Sequence, residues 1–326
     1  MKAAIWTAYG PPGVIEIRDV PLPEPKPGEV RIRVEATSVT AGDFEMRALR
    51  LPWYLAVPIR LYAGLFRPKR VRVLGQELAG TVDKVGDRVT RFKPGDKVFA
   101  ATGMRLGGQA QYIVMREAPP DGMLALRPPS LAAEEAACLP FAAFEARHLL
   151  EKAAIVPGEK LLVVGAGGSI GTFAIQIAKA RGAEVTAVDR AAKHEMLRSI
   201  GADHVVDAAA ASYGKRGSFD VAIDVVGRGT FGRGLRALRR GGRYVSGNPR
   251  FTLLYRALWA RLVSGKRILV GTARHRPEAL AEIEGLVAGD RLKPVIGRSF
   301  ALSDIVAAHR YAESGDKIGN VVVKCG

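Results

Sequence analysis

Cysteine is nearly missing from this chain of 326 residues: Cys138 and Cys325 are the only two, and they stand far apart. That excludes a disulfide framework and a cysteine zinc cage, and it agrees with a reducing, cytoplasmic setting. Histidine is scarce as well. His148, His194, His204, His275 and His309 show no paired spacing, so each reads as a surface or hydrogen-bonded histidine rather than a metal ligand. No apolar run reaches the roughly 18 to 20 residues of a membrane span. The opening "MKAAIWTAYGPPGV", with one lysine and then a Gly-Pro turn, does not read as a signal peptide. Acidic residues are short, 32 against 49 Lys and Arg, for a formal net charge of +17. The shortage is uneven: residues 46–76 and 247–277 contain no acidic residue, and each stretch holds seven Lys or Arg. Such an excess suits nucleic acid, anionic lipid or an anionic substrate, or serves solubility alone.

What is present is a chain long enough for about two domains, with an ordinary globular balance of 48% hydrophobic and 25% charged residues. Its first ~120 residues read as β-rich. "KAAIWT", "VIEIRDV", "EVRIRVEATSV", "ELAGTVDKVG" and "DKVFAA" are short runs rich in β-branched residues, separated by turns such as "GPPG" and "RFKPGD". The signal becomes helical near "PPSLAAEEAACLPFAAFEARHLLEKA", with Ser130 as an N-cap and a break at Pro140. From Lys160 strands and helices alternate: "KLLVVG", "SIGTFAIQIAKARG", "EVTAVD", "AAKHEMLRSIG", "HVVD", "FDVAIDVVG", "TFGRGLRALRRGG", "RYVSGN". Continuously apolar strands between amphipathic helices predict an α/β fold with a doubly wound parallel sheet. The tail adds a strand at "RILVGT", a helix over Pro277 to Ala288, a strand at "PVIGRSFAL", a helix at "SDIVAAHRYAESG" and a strand at "NVVVKC".

One turn carries a chemical reading. Between "KLLVV" and the next helix lie Gly165, Ala166, Gly167, Gly168, Ser169 and Ile170, with Gly165, Gly168 and Gly171 spaced three and three. A strand that ends in glycines and opens a helix offers backbone N–H groups and a positive dipole end to an anion, and the missing Cβ atoms let a diphosphate approach. The pattern is not a strict G-x-G-x-x-G. Its context is that of a dinucleotide fingerprint: 18 residues after Gly171, Asp189 ends the next strand, placed to accept the adenosine ribose hydroxyls. That carboxylate favours NAD(H), whereas the adjacent Arg190 and Lys193 favour NADP(H); as a structural element alone, Asp189 would cap the following helix.

The whole chain resembles the medium-chain dehydrogenase/reductase superfamily. The resemblance rests on the opening "MKAAIWTAYGPPGVIEIRDVPLPEPKPGEVRIRVEATSVTAGD" and on "VLGQELAGTVDKVGDRVTRFKPGDKVFA", "LVVGAGGSIGTFAIQIAK", "GADHVVD", "GGRYVSGN" and the terminal "GNVVVK". It implies a GroES-like β-rich catalytic domain, residues 1–125 and 270–326, and a Rossmann-type dinucleotide-binding domain, residues 126–269. Zinc alcohol dehydrogenases of that superfamily carry a cysteine and a histidine where this chain has Thr40, in "SVTAGD", and Gln76, in "GQE". A hydroxyl and a carboxamide are poor zinc ligands, so the chain looks like the zinc-free quinone oxidoreductase (zeta-crystallin-like) branch. Glu145 departs from that branch, which commonly has threonine there. The resemblance further implies nicotinamide-side contacts at Val226, Gly227 and Asn248, a weaker one at Asn320, and a homodimer paired near "RILVGT".

Without a Lewis acid to stabilise an alkoxide, hydride delivery to a quinone or an activated alkene is the easier chemistry, with a small lipophilic carbonyl compound as substrate. Thr40, Asp43 and Gln76 are then polarising or positioning groups, or loop anchors in the case of Asp43. The basic stretches mix aromatic and aliphatic side chains with arginine. They form either a positively rimmed entrance for a lipophilic substrate, at an anionic membrane surface, or core and dimer contacts with a solvated rim. Two rival readings stand beside the enzyme: a dinucleotide-binding protein of low turnover whose basic stretches hold single-stranded nucleic acid, and an alcohol dehydrogenase with a rebuilt metal site. No nucleic-acid motif supports the first.

Overall fold

The alternation that begins at Lys160 folds as a parallel sheet. In the computed structural model, residues 1–227, 229–247, 257, 260, 264–271 and 277–326 are described. They form two packed units, Met1–Phe141 with Pro294–Gly326, and Ala142–Lys293. Among the described residues, no helix is long and apolar enough to cross a membrane.

The first unit is built on a sheet of β3 (Glu29–Ser38), β4 (Glu77–Val85), β5 (Lys97–Ala101), β6 (Tyr112–Arg116), β7 (Met123–Leu126), β14 (Ile296–Ala301) and β15 (Asn320–Lys324). Its order is β14-β15-β3-β4-β5-β7, with β6 also on β3; β1 (Lys2–Trp6) and β2 (Ile15–Asp19) make a separate antiparallel ribbon. Val30, Ile32, Val34, Leu78, Val98, Val321 and Val323 are buried in one core. Two helices interrupt the β-rich reading, α1 (Ala41–Ala48) and α2 (Trp53–Ala63). The buried Arg47 ties α1 to α9 (Ile305–Glu313), reaching His309 Nδ1 at 3.0 Å, Glu313 at 3.0 Å and the Gly10 carbonyl at 3.1 Å. Burial, reinforced by the adjacent guanidinium, pushes His309 down to about 3, so the imidazole is neutral there. This clamp fixes the end of α1 opposite Thr40.

The predicted helix after Ser130 starts later. Ser130 does not cap it: α3 (Ala133–Ala136) begins after Ala132, whose N–H is bonded by Glu135, and α4 (Ala142–Ala153) follows the break at Pro140. α3 packs on β3 and β4, so residues up to 141 belong with the first unit rather than dividing at 125.

In the second unit, β8 (Lys160–Val164), β9 (Glu184–Asp189), β10 (His204–Asp207), β11 (Phe219–Asp224), β12 (Leu238–Ser246) and β13 (Arg267–Val270) are all parallel, in the order β10-β9-β8-β11-β12-β13. That is the doubly wound nucleotide-binding order, reversing between β8 and β11. α5 (Ser169–Ala180) and α6 (His194–Ser199) follow β8 and β9 as predicted. The helix predicted over "TFGRGLRALRRGG" is shorter: α7 (Phe231–Ala237) stops where β12 begins at Leu238, captured by pairing with β11. The helix over Pro277–Ala288, α8, packs on α4, and its Glu282 is bonded by Arg147 and Arg181; the described residues of 270–293 thus belong with this unit. Among the described residues β13 has one sheet neighbour, β12, and stands as an edge strand.

Candidate active site

The glycine turn sits at the carboxyl end of β8, beside the reversal point. Gly165 has φ +82°, and a Cβ there would meet Val226 Cγ2 at 2.7 Å and Val225 Cγ2 at 2.8 Å. The two loops that Gly165 and Val226 begin are therefore neighbours. The amides of the turn are largely spent inside the protein. Gly165 and Ala166 N–H donate to the Val188 carbonyl, Gly167 N–H to Asp189 Oδ2 at 2.8 Å, and Gly168 N–H to the Gly165 carbonyl. The donors that remain for an anion lie one step on. Gly168 is the N-cap of α5 and supplies no side chain to bond its first turn, so Ile170 and Gly171 N–H have no partner within the helix. A Cβ on Gly168 would find no atom nearer than the Gly165 carbonyl at 3.5 Å, so that face is open.

Asp189 does not cap the following helix. Its Oδ2 accepts Gly167 N–H, its Oδ1 accepts Arg190 N–H at 2.8 Å, and Lys193 Nζ lies 3.1 Å from Oδ1. Both side chains of this pair are buried. The Lys193 stem crosses Gly167, its Cδ only 2.4 Å from where a Cβ would stand. Asp189 thus braces the turn and carries a cation at its side.

Asp224, at the end of β11, is a site residue that sequence reasoning missed. Its Oδ1 accepts Val226 and Gly227 N–H, both at 2.9 Å, and its Oδ2 accepts the hydroxyls of Thr230 and Tyr244. With those amides engaged, the carbonyls and the Val226 side chain are what this loop has left for a ligand. Asn248 lies outside the described residues. Glu145 occupies the first turn of α4.

The first unit brings Thr40, Asp43 and Gln76 together. Thr40 caps α1 in a reciprocal box: Asp43 N–H donates to its hydroxyl, and Asp43 Oδ2 accepts Thr40 N–H at 2.8 Å. Asp43 Oδ1 accepts Gly75 N–H at 2.8 Å, which anchors the segment entering β4. The Thr40 hydroxyl stands 2.8 Å from Asp43 Oδ2 and 2.7 Å from Gln76 Oε1. Gly42 leaves the space that the Gln76 carboxamide fills, since a Cβ there would lie 2.3 Å from Oε1. With Oε1 held by Thr40, Gln76 Nε2 is the end of the group that remains to donate. Burial raises the Asp43 carboxyl above its usual range despite these donors.

Glu77, next to Gln76, is a second missed residue. It is fully buried, accepts Phe141 N–H at 2.8 Å and is bonded by the Ser38 hydroxyl. Burial pushes it up to about 7 against the pull of those two donors. The signal was the "GQE" triplet itself, a carboxylate opening an apolar strand. Cys138 is buried, its thiol raised well above the usual range by burial and the nearby Glu77, so it is no nucleophile. Asn320 lies in the first unit, buried, with its Nδ2 on the Val295 carbonyl at 3.0 Å.

Zinc does not suit this donor set. Hydroxyl and carboxamide are already bonded to one another, and both oxygens of Asp43 are engaged by protein donors. Among the described residues no three His, Cys, Asp or Glu side chains converge.

Comparison with known proteins agrees with this layout. Residues 26–120 match the alcohol dehydrogenase GroES-like domain and residues 200–323 the zinc-binding dehydrogenase domain. The 2-methylene-furan-3-one reductase of Solanum lycopersicum is 30% identical over 336 residues, covering 99% of this chain and 79% of that protein. The chloroplastic quinone-oxidoreductase QR1 of Triphysaria versicolor is 29% identical over 99% of this chain and 98% of its own. The solved quinone oxidoreductase from Coxiella burnetii superposes with a TM-score of 0.86 at 27% identity, over 100% of this chain and 99% of that one.

Proposed function

Since this chain belongs to the medium-chain dehydrogenase/reductase superfamily, in its zeta-crystallin-like quinone oxidoreductase branch, we propose that it reduces a quinone or an activated alkene with NAD(P)H, without zinc. The observation that carries the proposal is the open first turn of α5 at the reversal of a doubly wound sheet, braced by Asp189. The nicotinamide, when bound, supplies the hydride. The residues of this chain supply the rest. Ile170 and Gly171 N–H face the diphosphate, and Gly168 leaves it room. Gln76 Nε2 donates to the acceptor oxygen on which negative charge collects, and Thr40 with Asp43 holds that carboxamide in place. Water supplies the proton that completes the reduction.

Cofactor choice follows from the Asp189–Lys193 pair. The carboxylate serves ribose hydroxyls and the ammonium tolerates a 2′-phosphate, so both dinucleotides bind, with NAD(H) modestly ahead. The edge strand β13 suits pairing with a second copy in a homodimer. The test is fluorescence titration with NADH and NADPH, then stopped-flow oxidation against quinones, enones and, in reverse, alcohols, with elemental analysis of the protein. Turnover of quinones or enones by metal-free protein is expected. No dinucleotide binding, or turnover of alcohols only with a stoichiometric metal, would refute it.

A further inference from the structure

Helix α2 is turned the wrong way for a helix that covers a core. Its inner side is narrow: Ala63 is buried, and Ile59 and Tyr62 pack against the core of the first unit. Its outer side carries Trp53, Val57 and Leu61, at i, i+4 and i+8, exposed by 79%, 52% and 70%. Two more large apolar side chains are exposed in the turn that follows, Leu65 at 51% and Phe66 at 88%. Single exposed apolar residues are ordinary, but five large ones between Trp53 and Phe66 call for an occupant.

The charges beside these side chains choose among occupants. Arg60, Arg67, Lys69, Arg70 and Arg72 are all exposed, Arg50 before them is paired with Glu313 at 3.2 Å, and residues 46–76 contain no carboxylate. A second copy placed face to face would set these cations against their own images with no acidic residue from the stretch between them. Single-stranded nucleic acid asks for aromatic platforms, whereas Val57, Leu61 and Leu65 are aliphatic. Aromatic and aliphatic side chains on one face, with arginine and lysine around them, fit the boundary between acyl chains and anionic headgroups.

We propose that α2 and the turn after it dock this protein on anionic bilayers, the side chains of Trp53, Val57, Leu61, Leu65 and Phe66 entering the interface and the flanking cations meeting lipid phosphates. The helix lies on the surface, since its 11 residues are too few to span. Docking brings the enzyme to the phase where lipophilic acceptors dissolve. It does not depend on the redox reading, and it is tested without cofactor.

The experiment is co-sedimentation of the purified full chain with sucrose-loaded vesicles of phosphatidylcholine alone or mixed with phosphatidylglycerol, at low and high salt. Binding is expected to the mixed vesicles and to fall with salt, with a blue shift in emission that Trp53→Phe abolishes. Neutralising three cations as R67Q/K69Q/R72Q should lower partitioning by about a hundredfold. L61E/F66E should lower it by at least about tenfold. Both sets lie on the surface, and an unchanged circular dichroism spectrum separates lost docking from lost fold. Three outcomes overturn the proposal: no binding to anionic vesicles, binding indifferent to L61E/F66E, or a dimer that L61E/F66E dissolves in a protein that ignores vesicles. Capture of a single-stranded oligonucleotide that R67Q/K69Q/R72Q abolishes, without vesicle binding, overturns it as well.

Discussion

Two glycines three residues apart along the chain, Gly168 and Gly171, separate the folding role of the turn from its binding role. A methyl group at Gly171 would meet the carbonyl oxygens of Ala166 and Gly165, each at 2.5 Å, and Ala166 Cα at 2.6 Å. These are backbone atoms, tethered by the Gly165 and Ala166 N–H bonds to the Val188 carbonyl, and cannot swing aside. Gly171→Ala gains about 1 kcal/mol of helix propensity and loses about 1 to 3 kcal/mol or more to overpacking. The close contacts with three backbone atoms favour the upper end, for a net loss of about 2 kcal/mol. For a unit of this size that lowers Tm by about 4 to 8 °C. Gly168→Ala meets nothing nearer than 3.5 Å, and the residue's φ of −90° is ordinary for alanine. Its stability cost is that of a poorer N-cap, below about 1 kcal/mol. Its methyl group, however, enters the open space in front of Ile170 and Gly171 N–H, where the diphosphate is proposed to rest. Losing one hydrogen bond to a charged oxygen costs about 1.5 to 3 kcal/mol, about ten- to a hundredfold in Kd. The assay is differential scanning fluorimetry together with NADH titration of both variants. Wild-type affinity in Gly168→Ala would refute the placement of the anion; a Tm loss in Gly168→Ala as large as that in Gly171→Ala would refute the packing argument.

Three further outcomes follow from the site. Gln76→Leu removes the donor proposed for the acceptor oxygen, so kcat should drop about a hundredfold while dinucleotide affinity holds; an unchanged kcat would discard that role. Lys193→Met keeps an unbranched stem over Gly167 but leaves Asp189 without its cation, so NADPH should weaken about tenfold more than NADH; equal losses for both in calorimetric titration would show that the pair does not sort cofactors. Glu77 carries a folded-state value of about 7 against an ordinary 4.5, so the folded protein keeps a proton that the unfolded chain gives up. Its contribution to stability therefore falls as pH rises from about 4.5 to about 7 and is flat above. Glu77→Gln should lack that slope in urea titrations, and parallel curves for the two proteins would contradict it.

How far the fold could be read from the chain depended on the reach of each signal. The parallel sheet was legible because β8, β9 and β11 are largely apolar and the helices between the strands are periodic, both local properties. Helix α8 matched its predicted bounds for the same reason. Helices α1 and α2 were not foreseen; in α2, Trp53, Tyr54, Val57, Ile59 and Tyr62 are residues at home in strands, and Ala63, Ile59 and Tyr62 pack on the core from a helix instead. α7 was drawn too long because the pairing of β12 with β11 starts at Leu238, a contact no local pattern announces. The glycine turn and Thr40, Asp43 and Gln76 were visible as motifs. Asp224 was not, because a buried carboxylate acquires meaning from remote partners, here Thr230 and Tyr244; the "GQE" triplet marked Glu77, but not its partners Ser38 and Phe141.

The place of β15 bears on how this protein is born. Residues 320–324 lie between β14 and β3, with Val321, Val322 and Val323 wholly covered. On a ribosome, then, the second unit has its described strands in hand while β3, already paired with β4 and β6 along most of its length, still lacks a neighbour at residues 36–38. That edge waits longest for its neighbour, and in that interval the 33 residues from Pro294 to Gly326 decide whether it is sheltered or left to chaperones.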